Sequence, residues 1–306
     1  MTKDRPKNVA ASVRTRLLNI ARANGEDFQL VLIRFALERM LFRLSKSEFS
    51  KDFVLKGAIL FQIWSGESHR PTRDVDLLGY GAPKAERFAN IFKNLCALEV
   101  ENDGSRFDAD SIQVQTMKEE EKYQGVRIKL NAHLESARIP VQVDIGFCDV
   151  ITPEPLTIEF PAMLEFKAPT LSVYPRETVV AEKFQAMVML GISNSRMKDF
   201  YDIWKLANDF EFDVELLSNA IAATFDRRQT EIPASPPLCL TTEFSEDTQK
   251  INQWQAFCKK TGLDVGGRSL AAVVEQLENF LMPLSVAVAN NTDFNSNWPR
   301  GGTWSN

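Results

Sequence analysis

An α+β chain is predicted, with helices first, a mixed sheet in the middle and helices again to the end. Three stretches of distinct hydrophobic period carry that prediction. Over residues 9–47 apolar side chains recur every three or four positions, the spacing of an amphipathic helix. From 111 to 148 they alternate one by one, the spacing of half-buried strands. Beyond Pro175 the helical spacing returns. At 306 residues the chain has room for two domains of the usual ~100–200 residues.

Val9, Val13, Leu17 and Ile20 form one stripe, and Asn24-Gly25 breaks it. A second stripe follows in Leu30, Ile33, Leu37, Met40, Leu41 and Leu44, with Glu26 and Asp27 placed where a helix N-terminus favours negative charge. Phe53-Val54-Leu55 reads as a short strand ending at Lys56-Gly57, followed by a helix through Trp64. Asp74 to Leu78 reads as a strand closed by Gly79, and 83–98 as a helix. Ile112/Val114, Val126/Ile128/Leu130 and Val141/Val143/Ile145 mark three alternating strands. Five prolines between 153 and 175 predict an extended connection, with an edge strand at 156–160. Helices are predicted at 176–190, 196–209, 213–225, 245–261 and 268–283, with a loop at Pro233–Pro237. The resulting divisions are N-terminal helices at 1–50, a core at 51–175, a helical domain at 176–288 and a polar tail at 289–306, expected to be disordered.

Composition narrows the function classes. Lys and Arg number 36 against 41 Asp and Glu, a net charge of −5, so no overall basic footprint for nucleic acid exists. Residues 1–50 nevertheless hold ten Lys or Arg against five Asp or Glu, which leaves a local basic face open. Cys96, Cys148, Cys239 and Cys258 form no CxxC pair, and His69 and His133 are the only imidazoles, a poor basis for structural zinc. The N-terminus lacks an apolar signal region, and no unbroken run of ~18 apolar residues occurs. A reduced, cytoplasmic protein without a membrane partner is expected.

The chemistry concentrates in Lys56-Gly57-Ala58 and in Arg70-Pro71-Thr72-Arg73-Asp74-Val75-Asp76. Strand alternation turns Asp74 and Asp76 to one face and Val75 to the other. Two adjacent carboxylates repel unless cations hold them, and magnesium takes hard oxygen ligands together with substrate phosphates. Asp144, facing away from Val143 and Ile145, would add a third acid if its strand lay beside the first, the layout of a phosphoryl-transfer metal site. Gly57 at a strand-to-helix turn would let backbone N–H groups approach a phosphate. The plainer alternative is a solvated strand end paired with Arg70 and Arg73. Farther on, Lys183 sits in a helix, and Asp199 and Asp202 lie one helical turn apart in the next one. They read either as a lysine oriented by two acids for nucleotide phosphates or as a solvated helix face with Lys198–Asp202 pairs.

The segments GEDFQL, RFALERMLFRLS, FVLKGAILFQIW, RPTRDVDLLG, VQVDIGF, YPRETVVAEKF and MKDFYDIWKL, in this order over about 9–285, resemble the AbiEii/AbiGii-type toxin nucleotidyltransferases. That group includes the MenT toxins and lies in the DNA polymerase β-like nucleotidyltransferase superfamily. Ala58 stands where the family often has a second glycine or a serine, which removes one hydroxyl contact. The resemblance implies a nucleotidyltransferase core with a helical partner domain, and a toxin of a toxin–antitoxin or phage-defence system with a separately encoded antitoxin. It implies Mg2+ on Asp74 and Asp76 with Asp144 as third ligand or base. It also implies an NTP held by Lys56, Gly57, Ala58 and Lys183, and a site completed by Asp202 with Asp199 close by. The acceptor implied is the tRNA 3′ end; a protein or small-molecule hydroxyl, or a fold that binds nucleotide without catalysis, are the alternatives.

Overall fold

The computed structural model describes residues 8–66, 72–119, 123–263 and 265–305; Arg70 and Pro71 of the acidic motif lie outside them. The chain divides into two compact units, Met1–Cys148 with Leu156–Val173 and Asp149–Pro155 with Tyr174–Asn306.

The first unit opens with α1 (Val9–Asn24) and α2 (Phe28–Lys46). The Asn8 side chain caps α1 by accepting from the Ala11 N–H, and Gly25 ends it in the left-handed conformation that glycine tolerates. The Asp27 side chain accepts from the Gln29 N–H and starts α2. Then come β1 (Phe53–Lys56), α3 (Leu60–Ser65), β2 (Val75–Gly79), α4 (Ala85–Ala97), β3 (Ser105–Glu119), β4 (Tyr123–Leu134), β5 (Ala137–Gly146), β6 (Leu156–Glu159) and β7 (Thr170–Val173). Together the strands form one mixed seven-stranded sheet in the order β3-β4-β5-β2-β1-β7-β6. β2 runs parallel to β5 and β1 parallel to β7, and the other neighbours are antiparallel.

One sheet face is the core. Leu37 and Leu41 of α2, Phe92 and Leu95 of α4, and Val75, Leu77 and Val143 of the sheet surround one narrow apolar gap. The opposite pleat carries Asp76 and Asp144, so the packing that buries the valines turns the acids away from α2 and α4. α2 is buried almost all round and holds three charged residues inside. Glu38 pairs with Arg39 at 2.8 Å and accepts from the Met163 N–H, while Arg39 donates to the Lys167 carbonyl. Arg43 donates to Asp103 at 2.9 Å. The proline-rich connection is thereby tied to α2. It also contains β7, which four residues between Pro169 and Tyr174 were too short to announce.

The second unit is helical: α5 (Arg176–Leu190), α6 (Met197–Asp209), α7 (Val214–Arg227), α8 (Thr242–Ser245), α9 (Thr248–Thr261) and α10 (Leu270–Asn290). α10 runs seven residues past the predicted end, through Pro283. By length and composition α10 is apolar enough to cross a membrane, but half of its most apolar window is buried inside the unit, the pattern of a core helix.

The tail corrects an expectation. Residues 289–305 are polar in composition, yet Trp298 is 1% exposed, exchanges backbone hydrogen bonds with Phe212 and donates its ring N–H to the Ala207 carbonyl at 2.7 Å. Trp304 donates to the Phe280 carbonyl, in the turn before Pro283. Two tryptophans outweigh the surrounding Asn and Gly, because aromatic burial dominates packing energy. Trp298→Ala is therefore expected to lower unfolding free energy by about 3–5 kcal/mol, the range for deleting a buried aromatic. Urea denaturation checks this; an unchanged midpoint would mean that the tail does not pack.

Candidate active site

Register places the charged residues. β5 lies between β4 and β2, so Arg127 opposes Asp144 on one side and Asp76 opposes it on the other. Asp76 in turn opposes Lys56 of β1. Directly opposed residues share a face, which makes Arg127–Asp144–Asp76–Lys56 a row across four strands, with a cation at each end of two acids. The strands do what alternation predicted, and they bring Asp76 and Asp144 together. Asp74 stands in the bend immediately before β2, so no regular strand carries its facing.

Arg127 was missed by sequence reasoning. Its Nε and Nη2 donate to Asp144 Oδ1 and Oδ2, both at 2.7 Å, a two-armed pairing. Gln142 Nε2 donates to Oδ2 at 3.2 Å. Hydrogen bonding to Asp144 raises the Arg127 pKa above its ordinary value against partial burial, and the charges of Asp144, Asp74 and Asp76 add to the rise. All three acids are thus within electrostatic reach of one guanidinium. The signal in the sequence was an arginine at an outward position of the 126–130 alternation, informative only once its strand neighbour is known.

Gly57 follows the end of β1 at φ 81°, a conformation that L side chains rarely adopt. A Cβ there would run into the Asp76 carboxylate, with the Asp76 Cγ at 2.8 Å. The backbone thus passes directly against the acid, and glycine is needed for space as well as for conformation. Ala58 is 9% exposed, and α3 behind it has only six residues.

A hard divalent cation fits this donor set in its chemistry, since Asp74, Asp76 and Asp144 offer only carboxylate oxygens. Among the described residues, however, no three His, Cys, Asp or Glu side chains are gathered closely enough to hold an ion as they stand. Asp144 is aligned with Asp76 but turned to Arg127.

The second unit holds a separate ionic cluster. Lys183 of α5 reaches Asp199 at 2.7 Å and Asp202 at 2.8 Å, both on α6 and both fully buried. Arg196 takes the other oxygen of Asp199 at 2.7 Å. The solvated-face alternative therefore fails, because these acids lie inside and depend on cations to be there. Arg228 pairs with Asp149 at 2.9 Å and donates to Gln185.

Among the described residues of 1–50, five arginines have acidic partners. Arg34 pairs with Glu26, Arg39 with Glu38, and Arg43 with Asp103. Arg14 and Arg16 lie at 3.7 and 3.9 Å from Glu135 and Glu165. Three of these acids, Asp103, Glu135 and Glu165, lie outside the segment and are missed by a local tally.

A family model described as nucleotidyl transferase AbiEii toxin, type IV toxin–antitoxin system, matches residues 39–276. No curated protein matches the chain. Among solved structures, JHP933 from Helicobacter pylori is 13% identical with a TM-score of 0.49, over 87% of this chain and 94% of that one. A second H. pylori structure, provisionally assigned as a nucleotidyltransferase, has the same identity and TM-score over 87% of this chain and 96% of its own.

The cluster in the second unit generates a stability prediction. Lys183→Met strands two buried carboxylates, with only Arg196 left on one of them, and is expected to cost about 3–5 kcal/mol, the range for breaking a buried ion pair. Adding Asp202→Asn removes one stranded charge and should recover part of that loss. Urea denaturation of single and double variants measures both; a single variant as stable as wild type would remove the cluster's structural role.

Proposed function

Because the chain belongs to the AbiEii nucleotidyl transferase toxin family of type IV toxin–antitoxin systems, we propose that it transfers a nucleoside monophosphate from an NTP to an acceptor hydroxyl with Mg2+ as cofactor. The observation that carries the reading is the in-register pairing of Asp76 with Asp144, with Gly57 backbone against Asp76. A glycine that admits no side chain leaves backbone beside the acids, where a phosphate has to approach.

Asp74 and Asp76 would hold the cation, and Asp144 would join them as third ligand. A cation bound there supplies charge neutralisation to the triphosphate. The chain's own contribution is alignment. The parallel pairing of β2 and β5 fixes the spacing of two acids without any loop, so little reorganisation accompanies the reaction. The acceptor oxygen forms a bond to the α-phosphorus, the bridging bond to the β-phosphate breaks, and pyrophosphate leaves. The hydroxyl proton passes to a carboxylate oxygen of the row. Lys56 and Lys183 are the cations assigned to phosphate, Lys56 at the end of the row and Lys183 by its motif, with Asp199 and Asp202 holding its ammonium. Ala58 would contribute only backbone.

The acceptor assigned is the tRNA 3′ end, which the motif resemblance implies. Arg22 and Lys198 are exposed cations that RNA phosphates could meet. A toxin of this kind acts in the cytoplasm, in phage defence, with an antitoxin as its partner.

The test uses labelled NTP with total RNA and, separately, a protein extract. Label is expected in RNA, and Asp76→Asn is expected to lower turnover at least about a hundredfold while the melting transition stays close to wild type. Label in protein would move the acceptor, and wild-type activity of a folded Asp76→Asn protein would end the reading.

A further inference from the structure

We propose that Arg127 is a built-in rival of the divalent cation, closing Asp144 when no cation is bound and thereby setting the row's cation affinity. This rests on the carboxylate row being the cation site proposed above, and it adds a residue that the reading did not include.

Four observations converge on it. The guanidinium occupies both oxygens of Asp144 at 2.7 Å, so the acid that would complete a three-carboxylate set is already spoken for. Asp74 and Asp76 also act on the same guanidinium, which places one positive charge where three negative ones are felt. No three-donor set stands ready among the described residues, as expected if the arginine replaces the ion. Finally, the Arg127 side chain is 33% exposed, so its head can leave toward water without unpacking the core. Gln142 keeps its hydrogen bond to Asp144 Oδ2 and steadies the acid when the fork opens.

The physical argument is competition. A carboxylate between a guanidinium and a dication gains from both, but the two cations repel across a few ångströms, and that repulsion is strong where water is partly excluded. Binding the dication therefore works against the arginine. A permanent structural brace would behave oppositely: its removal would leave Asp144 disordered and the cation bound more weakly or equally.

The experiment is a Mn2+ titration of the full chain at constant ionic strength, reading free Mn2+ by electron paramagnetic resonance. It compares wild type, Arg127→Gln, Arg127→Lys, Asp76→Asn and the Arg127→Gln/Asp76→Asn pair. Arg127→Gln is expected to bind Mn2+ about tenfold more tightly than wild type, and Asp76→Asn should abolish the gain. Equal or weaker binding by Arg127→Gln overturns the proposal. Should that variant not fold, Arg127→Lys serves, because it cannot occupy both oxygens with a planar fork; it is expected to bind about threefold more tightly, and no tightening overturns the proposal. Mn2+ binding that depends on Asp76 but ignores Arg127 sinks only the rivalry. No binding by any variant sinks the cation site with it.

Discussion

Two carboxylates held side by side on neighbouring parallel strands repel each other, and the arrangement of the first unit turns on how that repulsion is met. Asp76 and Asp144 are opposed in register, with Lys56 beyond one and Arg127 beyond the other. The pleat that brings them together is the one that sends Val75, Leu77 and Val143 to α2 and α4. Core packing and the charged row are therefore two sides of a single register. A one-residue slip of β2 would bury Asp76 and expose Val75 and Leu77 at once, so the hydrophobic core enforces the alignment of the site.

The helical unit handles charge in another way. Asp199 and Asp202 are fully buried, so their cations are a condition of folding. Lys183 and Arg196 meet that condition from α5 and from the start of α6. Inside α2 the same rule governs Glu38 with Arg39 and Arg43 with Asp103. Burial raises the Glu38 pKa, while Arg39 and the Met163 N–H pull it down. Each buried ion is tied to a loop or helix remote in sequence, which is how the first unit anchors its proline-rich connection.

Periodicity made most of the fold legible. The Asn24-Gly25 break, the alternating strands and the helices after Pro175 stand where their spacing placed them, because each rests on local sequence. What depended on distant partners was hidden. β7 is four residues paired with β1 and β6, with no pattern of its own. α10 continues past Pro283, and the tail is ordered by Trp298 and Trp304 meeting Phe280 and Phe212, contacts that composition cannot reveal. At the site, the acids were readable as Asp-Val-Asp and as the polar position of an apolar strand. Arg127 was not, since only strand order shows that its neighbour is Asp144. The partners of Arg14, Arg16 and Arg43 were hidden for the same reason: Glu135, Glu165 and Asp103 lie far along the chain.

The claim on which the account depends is that the row of acids on β2 and β5 is where a divalent cation and a triphosphate meet. Anomalous diffraction from crystals grown with Mn2+ and a non-hydrolysable NTP measures this most directly. The account predicts an anomalous peak bounded by the Asp74 and Asp76 carboxylates, with the phosphates beside Gly57. An ordered ion and nucleotide bound elsewhere, with Asp144 still held by Arg127 and no density against Asp76, would contradict it.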